Sequence, residues 1–162
     1  KKFDDSKFKI VIGAGASGPS TRWGSKNFSE LINQLNKSDD YFFFILCGPN
    51  EKEIENEIIS NLNKKNYIAL SEKSIKDSIP YLCASDMYVG NDSFGSHITS
   101  QSGKKSIIML LDSPKAYTDY SKNYYRMVPN GFNIEKITHG TNADPKLITV
   151  EEVIKTINQL RN

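Results

Sequence analysis

The chain has 162 residues, 38% of them hydrophobic, which suits one domain with a single sizeable core. Its 21 basic and 19 acidic residues are spread along the sequence and leave a formal charge of +2, so the concentrated basic footprint of a nucleic-acid binder is missing. No apolar run approaches the roughly 20 residues that cross a bilayer, and Cys47 and Cys83, both in apolar contexts, are too few and too far apart for a zinc motif or a disulfide framework. They read as reduced, buried thiols of a cytoplasmic protein.

The sequence opens on Lys1-Lys2-Phe3, with neither Met nor a signal-peptide pattern, as expected of a fragment or processed chain lacking an N-terminal portion. Phe8-Lys9-Ile10-Val11-Ile12 predicts a first buried strand, which runs into Gly13-Ala14-Gly15-Ala16-Ser17-Gly18. After Pro19 to Ser25, a helix is predicted behind an Asn27 cap with Glu30 three residues on, its apolar face formed by Phe28, Leu31, Ile32 and Leu35. Tyr41 to Cys47 predicts a second strand, closed by Gly48-Pro49, and Ile54, Ile58 and Ile59 line the helix that follows. Tyr67 to Leu70 is a third strand; Ser74 with Asp77 caps a third helix, which Pro80 should kink or restart near Tyr81-Leu82. Met87 to Val89 and Ile107 to Leu111 are further strands. Ser113 to Asp144 is irregular and rich in Tyr, Asn and Lys, with one short strand expected near Arg126 to Val128. Thr149 and Glu152 then form a capping box for a last helix with Val153, Ile154, Ile157 and Leu160 as its stripe.

This alternation predicts an α/β fold in a single domain over residues 1–162: a parallel sheet with helices on both faces and ligands at the carboxyl ends of the strands. The glycine run satisfies G-x-G-x-x-G after a strand, but the helix is not expected before Asn27, and the second strand ends without an acid to hold a ribose. A dinucleotide site, as in an NAD(P)-type oxidoreductase domain, is therefore the lesser reading, and an anion loop with Ser17 and Gly18 facing phosphate the better one. Arg22 can bring a fixed charge to a diphosphate or sit at the surface beside an anchoring Trp23. Glu51 can accept from sugar hydroxyls or stabilise the first turn of its own helix. Where the fourth strand gives way to a helix, Asp92, Ser93, Gly95 and His97 fall together. A helix start attracts phosphate through its unpaired N–H groups, although Asp92 and Ser93 can serve as caps and His97 as a core histidine. Neither His97 nor His139 has a second ligand at usable spacing, so no metal is expected. Neither a G-x-S-x-G elbow nor a G-x-x-x-x-G-K-[ST] loop occurs.

Taken together, the glycine loop with Ser17 and Arg22-Trp23, the Gly48-Pro49-Asn50-Glu51 turn and the Asp92-Ser93-Phe94-Gly95-Ser96-His97 block resemble the C-terminal half of glycosyltransferase family 9, the ADP-heptose:lipopolysaccharide heptosyltransferases. The resemblance runs from Phe8 to about Leu160. It implies a GT-B enzyme, two Rossmann-like domains facing across a cleft, of which this chain is the donor-binding one. The implied activity is inverting glycosyl transfer from a nucleotide-diphospho-sugar resembling ADP-heptose to lipopolysaccharide or another cell-envelope glycan, without cofactor or metal. The implied location is the cytoplasm, with the full-length enzyme peripheral at the inner face of the membrane. Arg22 takes the role of neutralising the diphosphate, Glu51 of contacting donor hydroxyls, Asp92 of contacting the sugar, Ser93 of contacting phosphate and His97 of orienting; Gly95 belongs to the same phosphate turn. The catalytic base would lie in the missing N-terminal acceptor domain, so the isolated domain would bind donor without turning it over. Two positions depart from the family: Phe94 stands where Gly is frequent, and Gly24 where Pro is frequent after Trp. A non-catalytic nucleotide-sugar-binding module would share all these features.

Overall fold

In the computed structural model, which describes residues 6–161, six strands form, buried at the centre of the sheet and half-buried at its two edges. These are β1 (Phe8–Gly13), β2 (Tyr41–Leu46), β3 (Tyr67–Ala69), β4 (Met87–Asn91), β5 (Lys105–Met109) and β6 (Tyr124–Met127). They pair in parallel in the order β3-β2-β1-β4-β5-β6, so the chain reverses its direction of travel across the sheet between β1 and β4. Continuous hydrophobicity suits strands covered on both faces, because alternate side chains enter two different cores. Ile10 and Ile12 point into one core with Phe28, Leu31 and Ile32 of α1 (Ser25–Leu35), Ile58 of α2 (Lys52–Ser60) and Val153 and Ile157 of α5 (Val150–Arg161). Val11 and Tyr88 point into the other, where Leu82 of α3 (Ile75–Ala84) and Ile98 of α4 (Phe94–Gln101) pack. Each such fully buried aliphatic or aromatic side chain contributes roughly 1.5–3 kcal/mol.

The helix starts show where local signals prevail and where they do not. Thr149 and Glu152 exchange the expected capping bonds, Glu152 N–H to Thr149 Oγ1 at 3.3 Å and Thr149 N–H to Glu152 Oε2 at 3.0 Å. Ser74 Oγ accepts from Asp77 N–H at 3.1 Å, also as expected. Asn27, by contrast, is not a cap: α1 starts at Ser25 behind Gly24, whose φ of 101° lies in the region that glycine alone adopts without strain. The chain must turn sharply there to leave the buried Trp23, and Asn27, already inside the first turn, donates back to the Trp23 carbonyl at 2.7 Å. Pro80 does not break α3 either. Pro80 and Lys76, whose carbonyl the proline leaves unpaired, are both exposed, so that carbonyl is on the solvent side of the helix. Cys47 is buried as expected, but Cys83 is exposed on α3; both are free thiols. The irregular stretch after β5 does contain a strand, β6, two residues earlier than expected. Among the described residues no helix is long and apolar enough to cross a membrane.

Candidate functional site

The chain reverses its direction across the sheet between β1 and β4, and the carboxyl ends of these two strands are where sheets of this order place a ligand crevice. Gly13 and Gly90 are partners in the ladder there, and a Cβ on Gly90 would fall 2.4 Å from the Gly13 carbonyl oxygen. The backbones can approach this closely because Gly90 lacks a side chain. Asn91, fully buried at the tip of β4, ties the crevice together: its Nδ2 donates to the Ala14 carbonyl at 2.8 Å and its Oδ1 accepts from Trp23 N–H at 2.8 Å. The Trp23 indole, also fully buried, donates to the Ile148 carbonyl at 2.9 Å and meets Phe28 edge-on. Trp23 thus anchors the loop, as its sequence context suggested, and leaves Arg22 beside the crevice.

Glu51 holds this half of the site. Its carboxylate accepts from Ala16 N–H at 3.0 Å, from Gly48 N–H at 2.8 Å and from Arg22 Nη2 at 2.9 Å. It therefore bridges the loops that follow β1 and β2 while pairing with the arginine. Arg22 Nη2 also donates to the Ala16 carbonyl at 3.2 Å, while its Nε is buried without a partner. Gly15 is needed because a Cβ would fall 2.2 Å from Glu51 Oε2, and Gly13 because a Cβ would fall 1.8 Å from the Tyr88 hydroxyl. Ser17 is exposed, and a Cβ on Gly18 would meet no atom within 4 Å. In a dinucleotide fingerprint the third glycine permits close helix–strand packing and the helix starts inside the motif. Neither condition holds, since α1 begins only at Ser25.

Asp92, Ser93, Gly95 and His97 come together at the start of α4. The Tyr88 hydroxyl donates to the Asn91 carbonyl at 2.7 Å and lies 3.1 Å from Ser93 Oγ, which fixes the turn. Gly95 is buried and lets α4 approach the sheet, where a Cβ would fall 2.3 Å from Leu46 Cδ2. The Asp92 side chain is only 6% exposed, yet its Oδ1 has no hydrogen-bond partner; the nearest cationic candidate, His97 Nε2, lies 3.5 Å away. Burial pushes the Asp92 carboxyl above its ordinary value, opposed by His97, the Ser113 hydroxyl and Arg126. The ring nitrogen on the far side, His97 Nδ1, lies 2.7 Å from the Tyr120 hydroxyl and 3.1 Å from that of Tyr124.

Several contributors are invisible in the linear motifs. Asn91 stands just before the Asp92-to-His97 block, and a polar residue closing an apolar run was the only signal for it. Asp112, just past β5, accepts from the Ser20 hydroxyl at 2.7 Å and from Asn142 N–H at 3.0 Å, so it fastens the glycine loop to the segment before α5. Burial would raise its carboxyl, but the N–H of Asn142, the Ser20 hydroxyl and the N–H groups of Gly140 and Thr141 together hold it below the usual range. Tyr120 and Tyr124 carried no sequence signal. Two open grooves, of about 550 and 480 Å³, lie between α1 and α2 and between α1 and α5, away from the crevice, and hold no convergent chemistry. Among the described residues no three His, Cys, Asp or Glu side chains gather as metal ligands.

A family model for glycosyltransferase family 9 (heptosyltransferase) matches residues 1–143. The chain belongs to this family. Among solved structures, the family 9 chain is similar to E. coli ADP-heptose lipopolysaccharide heptosyltransferase II, with 22% identity and a TM-score of 0.79 over 97% of this chain and 47% of that one. It is similar also to a family 9 glycosyltransferase from Veillonella parvula (18% identity, TM-score 0.80, covering 98% and 47%) and to E. coli heptosyltransferase WaaC with ADP (18%, 0.77, covering 96% and 45%). What is shared at these identities is the fold: the Rossmann-like sheet of GT-B heptosyltransferases. The chain spans just under half the length of these structures. No curated protein matches it by sequence.

Proposed function

We propose that this chain is the donor-binding domain of an inverting, heptosyltransferase-like enzyme, one half of a longer two-domain protein whose other half holds the acceptor and the catalytic base. The observation that carries the reading is Asp92: a carboxylate 94% buried at the start of α4, with one oxygen left without a partner, next to His97. A buried acceptor without a donor costs about 1–3 kcal/mol, more when charged, and a ligand hydroxyl removes that cost. The α4 amides beyond Ser93 offer a diphosphate unpaired N–H groups, and Arg22 lies across the crevice in the loop that Asn91 ties to β4.

In this reading the acceptor oxygen attacks the anomeric carbon from the face opposite the diphosphate, the bond from that carbon to the diphosphate oxygen breaks, and the departing nucleoside diphosphate gains charge. Arg22 and the α4 amides stabilise that charge more in the transition state than in the ground state, which is what accelerates the step. Arg22 must exchange Glu51, now 2.9 Å away, for phosphate oxygen, and a freed Glu51 oxygen then becomes available to a ribose or sugar hydroxyl. Ser17 is exposed and a Cβ on Gly18 would meet nothing within 4 Å, which leaves room for phosphates along this loop. An ADP-sugar is the donor class the reading favours, supported by a similar E. coli structure solved with ADP-2-deoxy-2-fluoro heptose. The acceptor would be lipopolysaccharide or another cell-envelope glycan. The free thiols of Cys47 and Cys83 accord with work in the reducing cytoplasm.

Ligand-detected NMR of the chain with ADP, ADP-heptose, UDP, GDP and NAD tests the proposal. Selective binding of one nucleoside diphosphate or its sugar conjugate is expected, weakened about tenfold or more by Arg22→Ala, in line with a charged hydrogen bond. Binding of NAD alone, or indifference to Arg22→Ala, would overturn it.

A further inference from the structure

We propose that Tyr120 and Tyr124 are positioning residues that hold His97 as its Nε2–H tautomer, making Asp92 and His97 a matched acceptor and donor for a single ligand hydroxyl. The argument starts from the two edges of the imidazole. Nε2 faces Asp92 Oδ1 at 3.5 Å, and Nδ1 faces two phenol oxygens, Tyr120 at 2.7 Å and Tyr124 at 3.1 Å, themselves 2.9 Å apart. An ionised carboxylate only accepts. A neutral ring with its lone pair on Nε2 would therefore turn that lone pair toward a carboxylate oxygen inside a buried site. With the proton on Nε2, Nδ1 becomes the acceptor and needs a donor, which the Tyr120 O–H supplies at the shorter distance. The Tyr124 O–H is then free to donate to Tyr120 Oη, or to Ser96 Oγ at 3.5 Å.

The support for His97 comes from a different part of the fold than His97 itself. The histidine is on α4, whereas Tyr124 opens β6 and is 6% exposed, so its hydroxyl is fixed by the sheet. Tyr120, in the segment before β6, is 53% exposed, yet its ring lies within 21° of parallel to the imidazole, with centroids 5.9 Å apart. Outer partners of this kind set which ring nitrogen carries the proton and where the ring points.

The pair so formed has a definite preference. The 3.5 Å gap between Nε2 and Oδ1 is too long for a good hydrogen bond, and Oδ1 has no other partner. A hydroxyl that bridges the two from the side, at the apex of a triangle, donates to Oδ1 and accepts from Nε2–H, satisfying both. An ionised phosphate oxygen cannot donate and is repelled by the carboxylate, so this corner reads a sugar hydroxyl and leaves the phosphates to the α4 amides. The tautomer stands on the geometry alone; assigning the hydroxyl to a donor sugar rests on the function proposed above.

Long-range 1H–15N correlation NMR of the ligand-free chain, above the histidine titration, reads the tautomer directly. For His97 a pyridine-like Nδ1 and a pyrrole-like Nε2 are expected, and Tyr120→Phe with Tyr124→Phe should mix the tautomers. A wild-type Nδ1–H ring, or a double variant that keeps pure Nε2–H, would overturn the proposal. Should the double variant lose its dispersed amide spectrum, Tyr120→Phe alone decides, because that side chain is half exposed. In titrations, Tyr120→Phe should weaken the nucleotide sugar about three- to tenfold while sparing the bare nucleoside diphosphate, since one hydrogen bond is typically worth about 0.5–1.5 kcal/mol. Equal weakening of both ligands would overturn the assignment to a sugar hydroxyl. Binding of neither by the wild type would fall on the donor reading, with the tautomer read separately.

Discussion

Two carboxylates at the same edge of the sheet are shifted in opposite directions, and the signs set the group proposed to bind donor apart from the one that fastens loops. Burial raises Asp92, so its ionised form costs stability at neutral pH, a cost removed as the pH falls through its raised folded value. Asp112 is lowered, since its bonds from Asn142, Ser20, Gly140 and Thr141 outweigh burial; its contribution is present above the ordinary carboxylate value of about 3.9 and is lost as the pH falls through its folded value. Asp92→Asn is therefore expected to raise the melting temperature at neutral pH while abolishing donor binding, and Asp112→Asn to lower it. Thermal scans at pH 7 and pH 4 with parallel ligand titrations check both, and a large stability loss from Asp92→Asn would make it a structural residue instead. Asp92 was legible in the sequence because strand, acid and glycine fall within one short block. Asp112 was not, because its partners lie 92 and 30 residues away.

At the level of elements, the glycine loop divides into positions that packing demands and one that it does not. Gly15 is closed by Glu51 Oε2, a carboxylate pinned by donors on two loops, whereas a Cβ on Gly18 would meet no atom within 4 Å. Gly15→Ala should cost about 1–3 kcal/mol, the usual penalty for forcing a side chain into occupied space, a few degrees of melting temperature. Gly18→Ala should leave the melting temperature unchanged. A comparable loss at Gly18 would bring back the close helix packing of a dinucleotide loop. The first five strands were legible because parallel strands covered on both faces need apolar runs, whereas β6, with Arg126 inside it, lies in the stretch that reads as irregular. The start of α1 was not: Asn27 and Glu30 look like a capping box, but tertiary contact decides, because Trp23 is drawn into the core and Gly24 makes the turn. Glu51 shows the same limit, since spacing put it at a strand end and gave no hint that it would clamp two loops and a cation.

For the whole molecule, the reach of Trp23 matters most. This sole tryptophan is bonded to Asn91 of β4 and to the Ile148 carbonyl just before α5, and packs on Phe28 of α1, so elements far apart in sequence meet at one indole. Its environment is lost only when the sheet and both flanking helices separate. Denaturation followed by tryptophan fluorescence and by far-ultraviolet circular dichroism should give coincident curves, as for a cooperative single sheet. An earlier fluorescence transition would show that the Arg22-Trp23 loop opens independently of the sheet.

Under the proposed function, the Glu51–Arg22 pair also bears on how a donor would arrive. Because the arginine's charge is matched before any diphosphate approaches, the crevice exerts little long-range pull on an anion, and encounter there is not strongly steered. Capture of a donor diphosphate would then be an exchange of one anionic partner for another at contact distance. Its dependence on ionic strength is accordingly shallow, and discrimination falls to fit within the crevice rather than to attraction from outside it.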